Sequence, residues 1–548
     1  AFRFGDTFML QKIVKLFANR REQVIAQRKR TRGQAAGAYA KLESRAVLST
    51  FLVQNLADHG TGSLRDAVEQ ANSNPGADVI RFQRGLQGTI ALTSGQLEVT
   101  DAVRIQGPGE NSLTVSGNSL SRVFKVNTSS GAVHFRGFTI ADGLATAPEN
   151  VGIKVVRGGG ILNLSSELHL REMTFRNNRA DDRGNAMPAD VVGGGAVVNS
   201  EHALLRVSRC TFVGNSAAGG LRYAFGGAIA SVTSSQAFIQ RSLFASNQSV
   251  GGDVNYGGAV AAFGGSSSEV VKSEFVSNKA VGEGKQSAFG GALAARPGTV
   301  QNSGSELVAL DCRFSENMAH ASDEANAGGG AIYSFRSSFT VQRSKLIANS
   351  TAAYHVYGGG IHNDQSVGVI SDSQLKSNQA VGLHNETGKS FAYGGAIACT
   401  GGTTLTVSKS DLALNEARGV QAFGGGIFTG AFPNDTAKAL LTVDRSSLSQ
   451  NRVATTLSTS ESLALGGGIF NGNPNETETS NAIVTATRTK IEKNSALAEA
   501  GGQGIGGGIY SVGKFSVDRR LQRQLLDGLA ANFATTSNDN VFGQLTAI

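Results

Sequence analysis

The stretch that decides the fold is FGGAIASVTSSQAFIQRSLFASN, residues 225–247. It opens on a Gly-Gly-(Gly/Ala)-aliphatic run at 226–229 and closes on a hydrophobe-x-x-Asn run at 244–247. Working outward, the first run recurs with its aliphatic residue at Ile161, Val197, Ile229, Val260, Leu293, Ile332, Ile361, Ile397, Ile427, Ile469 and Ile509. The second recurs at Asn178, Asn215, Asn247, Asn278, Asn317, Asn349, Asn378, Asn415, Asn451 and Asn494. Successive asparagines are 37, 32, 31, 39, 32, 29, 37, 36 and 43 residues apart. Self-similarity at such a period is the signature of a solenoid.

The columns keep their character while the spacing varies. Three residues before the Asn stand Phe175, Phe212, Phe244, Phe275 and Phe314, then Leu346, Leu375, Leu412, Leu448 and Ile491. Five before it, from Cys210 onward, is Ser, Cys or Thr, and eight before it is usually Val or Ile. An aromatic often precedes the glycine pair, as at Phe225, Tyr256, Phe289, Tyr357, Tyr393 and Phe423. Short β-branched and aromatic runs between turn residues are strands, and no unit holds a ten-residue helical period. The pattern predicts an all-β, right-handed parallel β-helix of about 13–15 coils, each with about three short strands, stacked at ~4.8 Å. The glycines serve tight corners. The asparagines form an inward ladder and the phenylalanines a core stack. The aromatics before the glycines read as a second core stack, with an outer face as the alternative. Variable loops leave the tube between each Asn and the next glycine pair.

The GGAI and FxxN motifs, here GGAI at 226–229, FVGN at 212–215, FASN at 244–247 and FVSN at 275–278, resemble the repeats of the chlamydial polymorphic outer-membrane proteins. GTGSLRDAVEQANSNPGADVIRF (60–82) resembles the opening module of large bacterial surface β-helix proteins. LESRAVLS (42–49) resembles the motif behind the basic leader of secreted planctomycete proteins, with Ser44 where Pro is usual. These resemblances imply an exported or surface β-helix and no particular activity. The chlamydial proteins end in a membrane β-barrel, for which residues after 512 leave no room, so their autotransport is not carried over.

Charge is uneven. The formal net charge of the 548 residues is +8, and residues 1–45 supply it with eleven Lys or Arg against three acids. The other residues balance at 39 and 39, which speaks against nucleic acid as a partner. Residues 8–32 read as a basic amphipathic helix, too short in its apolar run to span a membrane. Lys12, Lys15, Arg20, Arg21, Arg28, Lys29 and Arg30 on it are candidate contacts for a protein partner or an anionic membrane surface. Cys210 and Cys312 share a column three units apart, ~14 Å, beyond disulfide reach. They and Cys399 read as small inward fillers.

The chain divides into a basic arm or leader (1–50), a capping helix with the first coils (51–157), the repetitive β-helix (158–512) and a C-terminal cap and tail (513–548). Ser63 caps the first helix from Leu64 to about Ser73. Leu521, Leu525, Leu526 and Leu529 mark the second, and residues 534–548 are polar with a hydrophobic finish.

No column repeats a carboxylate pair or a metal-ligand spacing. Asp411 and Asp444 fall at different offsets, and His320, His355, His362 and His384 are scattered. Neither a P-loop nor a dinucleotide fingerprint is present. No catalytic, cofactor-binding or metal residue is assigned and no cofactor is expected. The reading is a structural or scaffold subunit of a bacterial cell-surface or outer-membrane assembly, acting through protein partners or self-assembly, with peripheral membrane or glycan contact. The alternatives are a polysaccharide-binding or polysaccharide-degrading β-helix and an adhesin.

Overall fold

The computed structural model describes residues 48–146, 155–183, 188–298, 303–430, 438–474 and 481–548. The basic segment, with Lys12, Lys15, Arg20, Arg21, Arg28, Lys29 and Arg30, lies outside the described residues. The unit Leu48–Ile548 is an all-β parallel solenoid of about 14 turns, with two short helices among the described residues.

Its strands form five sheets of 16, 14, 13, 12 and 11 strands. In one coil the chain passes through Ile229–Ser231, Gln236–Gln240, Leu243–Ala245, Gln248–Val250 and Val254–Tyr256, and Val260–Phe263 then stacks on Ile229–Ser231. In that order these strands belong to the glycine sheet, the long sheet, the phenylalanine sheet, the outgoing wing sheet and the returning wing sheet. The coil therefore has five strands where the repeat predicts about three. The two extra strands come from the segment that reads as a variable loop.

The first three sheets enclose the tube. Its core holds the Phe column, the inward residues of the glycine sheet such as Ile229, Val260 and Leu293, and those of the long sheet such as Val207, Ile239 and Val270. Phe175, Phe212, Phe244 and Phe275 stack with ring centroids 4.7 Å apart, and Phe275–Phe314 follows at 4.9 Å, all within 10° of parallel. The two wing sheets pack on each other outside the tube through a separate thin core of alanine, including Ala280, Ala319 and Ala380 against Ala288, Ala327 and Ala392.

The asparagine ladder runs along the corner where the chain leaves the tube. Asn247 Nδ2 donates to Asn278 Oδ1 (2.9 Å) and to Phe212 O of the preceding coil (3.0 Å), and its backbone N–H donates to the same Oδ1 (3.0 Å). Its own Oδ1 accepts from the backbone N and Nδ2 of Asn215. Each buried amide thus uses its full donor and acceptor capacity. The pattern repeats through Asn178, Asn317, Asn349, Asn378, Asn415, Asn451 and Asn494. It runs on through Asn532 and Asn540, two rungs that the repeat reading leaves out. A serine ladder lines the next corner: Ser242 Oγ accepts from Cys210 N and donates to Gln240 O, and Ser242 N donates to Ser273 Oγ.

The glycine pair has two separate causes. The first glycine is left-handed, as at Gly226 (φ 61°) and Gly290 (φ 70°). The second meets backbone on two sides. A Cβ on Gly291 would sit 2.1 Å from Gly330 O and 2.5 Å from Met318 N, the residue after Asn317. This is the neck between tube and wing, and no side chain fits there.

Helix α1, Leu64–Ser73, closes the first coil. Its N-cap Ser63 accepts from Asp66 N, and it buries Leu64, Ala67, Val68 and Ala71. Helix α2, Arg519–Leu526, buries Leu521 and Leu525 but leaves Leu526 and Leu529 64 % and 73 % exposed. In the segment after it, Phe533–Ala534, Val541–Phe542 and Leu545–Ala547 add a last strand to three of the sheets.

Asn317→Ala strands the backbone N–H of Asn278, one of its two Nδ2 N–H groups and the carbonyl of Phe275. At about 1–3 kcal/mol per buried unpaired group, the loss is on the order of 3 kcal/mol or more. Guanidinium unfolding checks it as a lowered midpoint. Gly291→Ala lowers the midpoint further than Gly284→Ala, whose added Cβ meets nothing within 4 Å.

Candidate binding surfaces

Three outer features carry chemistry, and each arises because stacking turns one residue per coil into a row. The first fills the re-entrant corner between the returning wing sheet and the outer face of the glycine sheet. Phe225, Tyr256, Phe263 and Tyr333 cluster there, and farther along Tyr393, Phe423, Phe428 and Phe470 do the same. Both clusters are separate from the tube core. The aromatics before the glycines are thus outside the tube, yet buried by one another. Arg296 lies within 4.9 Å of the Tyr223 and Tyr256 ring centres and donates to Tyr256 Oη at 3.0 Å. Thr400 Oγ1 donates to Asp364 Oδ1 at 3.1 Å and lies 2.9 Å from His362 Nε2. Burial pushes the His362 imidazole down to about 3 and His355 to about 4, so both are neutral rings in aromatic stacks. Burial raises the Tyr256 phenol to about 12.

The second feature is a concavity of about 600 Å³ on the outer face of the long sheet. Register places Arg104, His134, His169, Arg206, Phe238 and Glu269 in one column, a coil apart each. The His134 and His169 rings lie 4.4 Å apart, and the Arg206 guanidinium sits 5.0 Å over Phe238. Burial, with the charges of His169 and Arg104, lowers His134. Beside this column Glu172 meets guanidiniums from three successive coils, Arg136 at 2.7 Å and Arg171 and Arg209 at 3.1 Å. Desolvation alone would raise its carboxyl, but those hydrogen bonds together hold it below the usual range. Glu167 is lowered first by its hydrogen bond with His169 (2.9 Å). Convergent guanidiniums of this kind suit carboxylate or sulfate oxygens.

The third feature is the corner between the long and phenylalanine sheets. In ten successive coils the residue before the serine ladder is left-handed, with φ of 46–55°, and seven of the ten are Lys or Arg. Asn and Asp tolerate that conformation best, so backbone sterics do not explain the basic residues.

The other sequence-predicted positions sort simply. The ten asparagines and five phenylalanines lie inside the tube as its ladder and stack. Burial pushes the Cys210, Cys312 and Cys399 thiols up to about 12, 11 and 12. Asp444 pairs with Arg488 at 2.7 Å across one coil, and Asp411 lies on the neighbouring sheet. No group of three or more His, Cys, Asp or Glu placed to hold a metal occurs among the described residues. Sequence reasoning passed over the long-sheet concavity, although one signal was readable: Arg104, His134, His169 and Arg206 each centre a short β run.

No protein-family model matches the chain, and a search of curated proteins finds no match. Among solved structures it is similar to a Geobacillus virus E2 protein (ORF18) at 11 % identity and TM-score 0.32, over 61 % of this chain and 57 % of that one. A PL6 alginate lyase complexed with a trisaccharide is similar at 10 % identity and TM-score 0.36, over 92 % and 89 %. The catalytic domain of a GH87 α-1,3-glucanase in complex with nigerose is similar at 10 % and 0.33, over 90 % and 69 %. The chain thus spans little more than half of the viral protein.

The buried histidines give stability a pH dependence. Their folded pKa values lie below the ordinary 6.5, so the unfolded chain binds more protons between about pH 6.5 and 3. Stability from this source is complete above pH 6.5 and is lost as pH falls through that window. The acid limb of a plot of melting temperature against pH is shallower in His355→Phe/His362→Phe than in the parent.

Proposed function

We propose that this chain is a non-catalytic structural protein of a bacterial cell-surface or outer-membrane assembly. Residues 48–548 serve as a stiff spacer whose sides carry binding rows. The observation that carries this reading is the continuity of the asparagine ladder from Asn178 to Asn540. A column whose every coil is tied to the next by backbone strands and buried amides bends little, which suits a mechanical element. The resemblance of its repeats and opening module to bacterial surface β-helix proteins supports the location. Protein partners, self-assembly and contact of the basic segment with an anionic membrane belong to the same proposal.

A second reading has an observation of its own. The concavity lined by Arg104, Arg136, Arg171 and Arg206 offers several guanidiniums to one extended acidic ligand, which favours a glycan-binding surface protein.

Electron cryotomography of native envelopes, labelled with an antibody against residues 1–45, tests the first reading. Periodic label on the envelope is the expected result. Diffuse soluble protein that degrades a glycan overturns it. For the second reading, Arg104→Glu/Arg206→Glu lowers retention on immobilised polygalacturonate at least about tenfold at low salt, and equal retention of variant and parent removes that reading.

A further inference from the structure

Residues 46–548 hide a division of charge behind their neutral balance. The corner between the long and phenylalanine sheets carries exposed Arg209, Arg241, Lys272, Arg343, Lys409, Arg445 and Arg488, with Glu172, Asp311 and Asp372 in the remaining three coils and Arg343 paired to Asp311 at 2.7 Å. Some meet acids of their own chain: Arg209 lies 3.1 Å from Glu172, and Arg488 lies 2.7 Å from Asp444. Exposed pairs of this kind are weak, and the row stays basic, with seven cations against three acids in its own column. The stripe runs on to the exposed Arg519, Arg520 and Arg523 of helix α2, beside Lys490.

The opposite sign collects at the outer edge of the wing. From Asp182 to Glu499, the turns joining outgoing to returning wing strands hold nine carboxylates against four Lys or Arg. Asp253, Glu283, Glu324, Glu386, Glu461 and Glu499 among them are exposed. Of these, Glu324 has Lys285 at 3.5 Å. In every repeat coil the phenylalanine strand, the asparagine corner and the outgoing wing strand lie between the two rows. One molecule does not close its basic row on its own acidic row.

We infer that the basic corner docks the acidic wing edge of a second copy of this chain, so that the columns associate side by side. Residues of both rows are spaced at multiples of the coil pitch of ~4.8 Å, so contacts set in register in some coils recur farther along the column. Ten coils give a row of about 45 Å, which buries on the order of 600–800 Å² per partner, the size of a modest specific interface. The contact is heterologous: each copy keeps a free basic corner and a free acidic wing, so association continues into an open sheet of columns. This inference rests on the scaffold reading and names the partner of its surface.

Sedimentation velocity of the full chain, at about 20 mM and about 500 mM salt, tests it. The parent shows a sedimentation coefficient that rises with concentration at low salt and returns to the monomer value at high salt. Two charge-reversed variants sharpen the test: Arg241→Glu/Lys272→Glu/Lys409→Glu in the corner and Asp253→Lys/Glu461→Lys/Glu499→Lys in the wing. All six positions are exposed, and circular dichroism and melting temperature check the fold of each variant. Each variant alone stays monomeric at low salt, with association weakened about tenfold or more, and an equimolar mixture of the two assembles. A monomeric parent at low salt, self-assembly of either variant like the parent, or a mixture that stays monomeric overturns the inference. Assembly of the parent only when polygalacturonate is added overturns it in favour of the acidic-glycan reading. Periodic envelope label together with a monomeric purified chain removes this inference and leaves the scaffold reading standing.

Discussion

The structure depends on one constraint: at the asparagine corner two stretches of backbone pass so closely that nothing larger than hydrogen fits between them. There the chain leaves the tube, makes the wing and returns. Gly291 lies against Met318 and Gly330 in that neck, and the amide of Asn317 satisfies the backbone groups that the turn would otherwise strand. The two devices are complementary. Glycine permits the approach, and asparagine supplies hydrogen bonds in a place that water does not reach. A chain with the aromatic stack but without this corner would close its tube and have no wing.

That dependence explains what was legible in the sequence. The ladder and the Phe stack have chemistry found nowhere else in the coil, at fixed offsets, so unaligned repeats reveal them. Asn532 shows the limit. LAAN at 529–532 fits the hydrophobe-x-x-Asn pattern, and Ala531 has the left-handed φ of 47° seen before other rungs. It was passed over because helix α2 precedes it in place of a long-sheet strand. The wing was illegible for a different reason. A three-residue strand with one buried alanine, such as Lys279–Val281 around Ala280, has almost no hydrophobic period. Its strand character comes from the neighbours above and below.

The aromatics before the glycines mark a third case. Alternation along a strand separates two faces, but it does not say which face is inside. Tyr256 and Phe289 lie on the face away from the alanine core, and they are covered because the wing folds back beside the glycine sheet. The sequence allows a core stack or an outer face, and the molecule combines features of both. Burial in this corner, without entry into the tube, lets tyrosine, histidine and arginine mix with phenylalanine, as around Arg296 and His362.

Charge follows the same logic of rows. Composition counts 39 against 39 and reports neutrality, yet a solenoid assigns each coil position to an edge, and edges differ. On the outer long sheet the column through Arg104, His134, His169 and Arg206 passes at Glu269 into Val308, Thr340, Val369, Thr406, Thr442 and Thr485. The same geometric site is thus ionic over the first coils and neutral over the later ones. The corner beside it carries Lys or Arg in seven of ten coils, at both ends of the column. If basic residues merely kept the column soluble, scattered placement would serve as well. Enrichment on one edge, with carboxylates enriched on another, gives the column sides that differ, and a repeating object with unlike sides has a defined way to meet its neighbour.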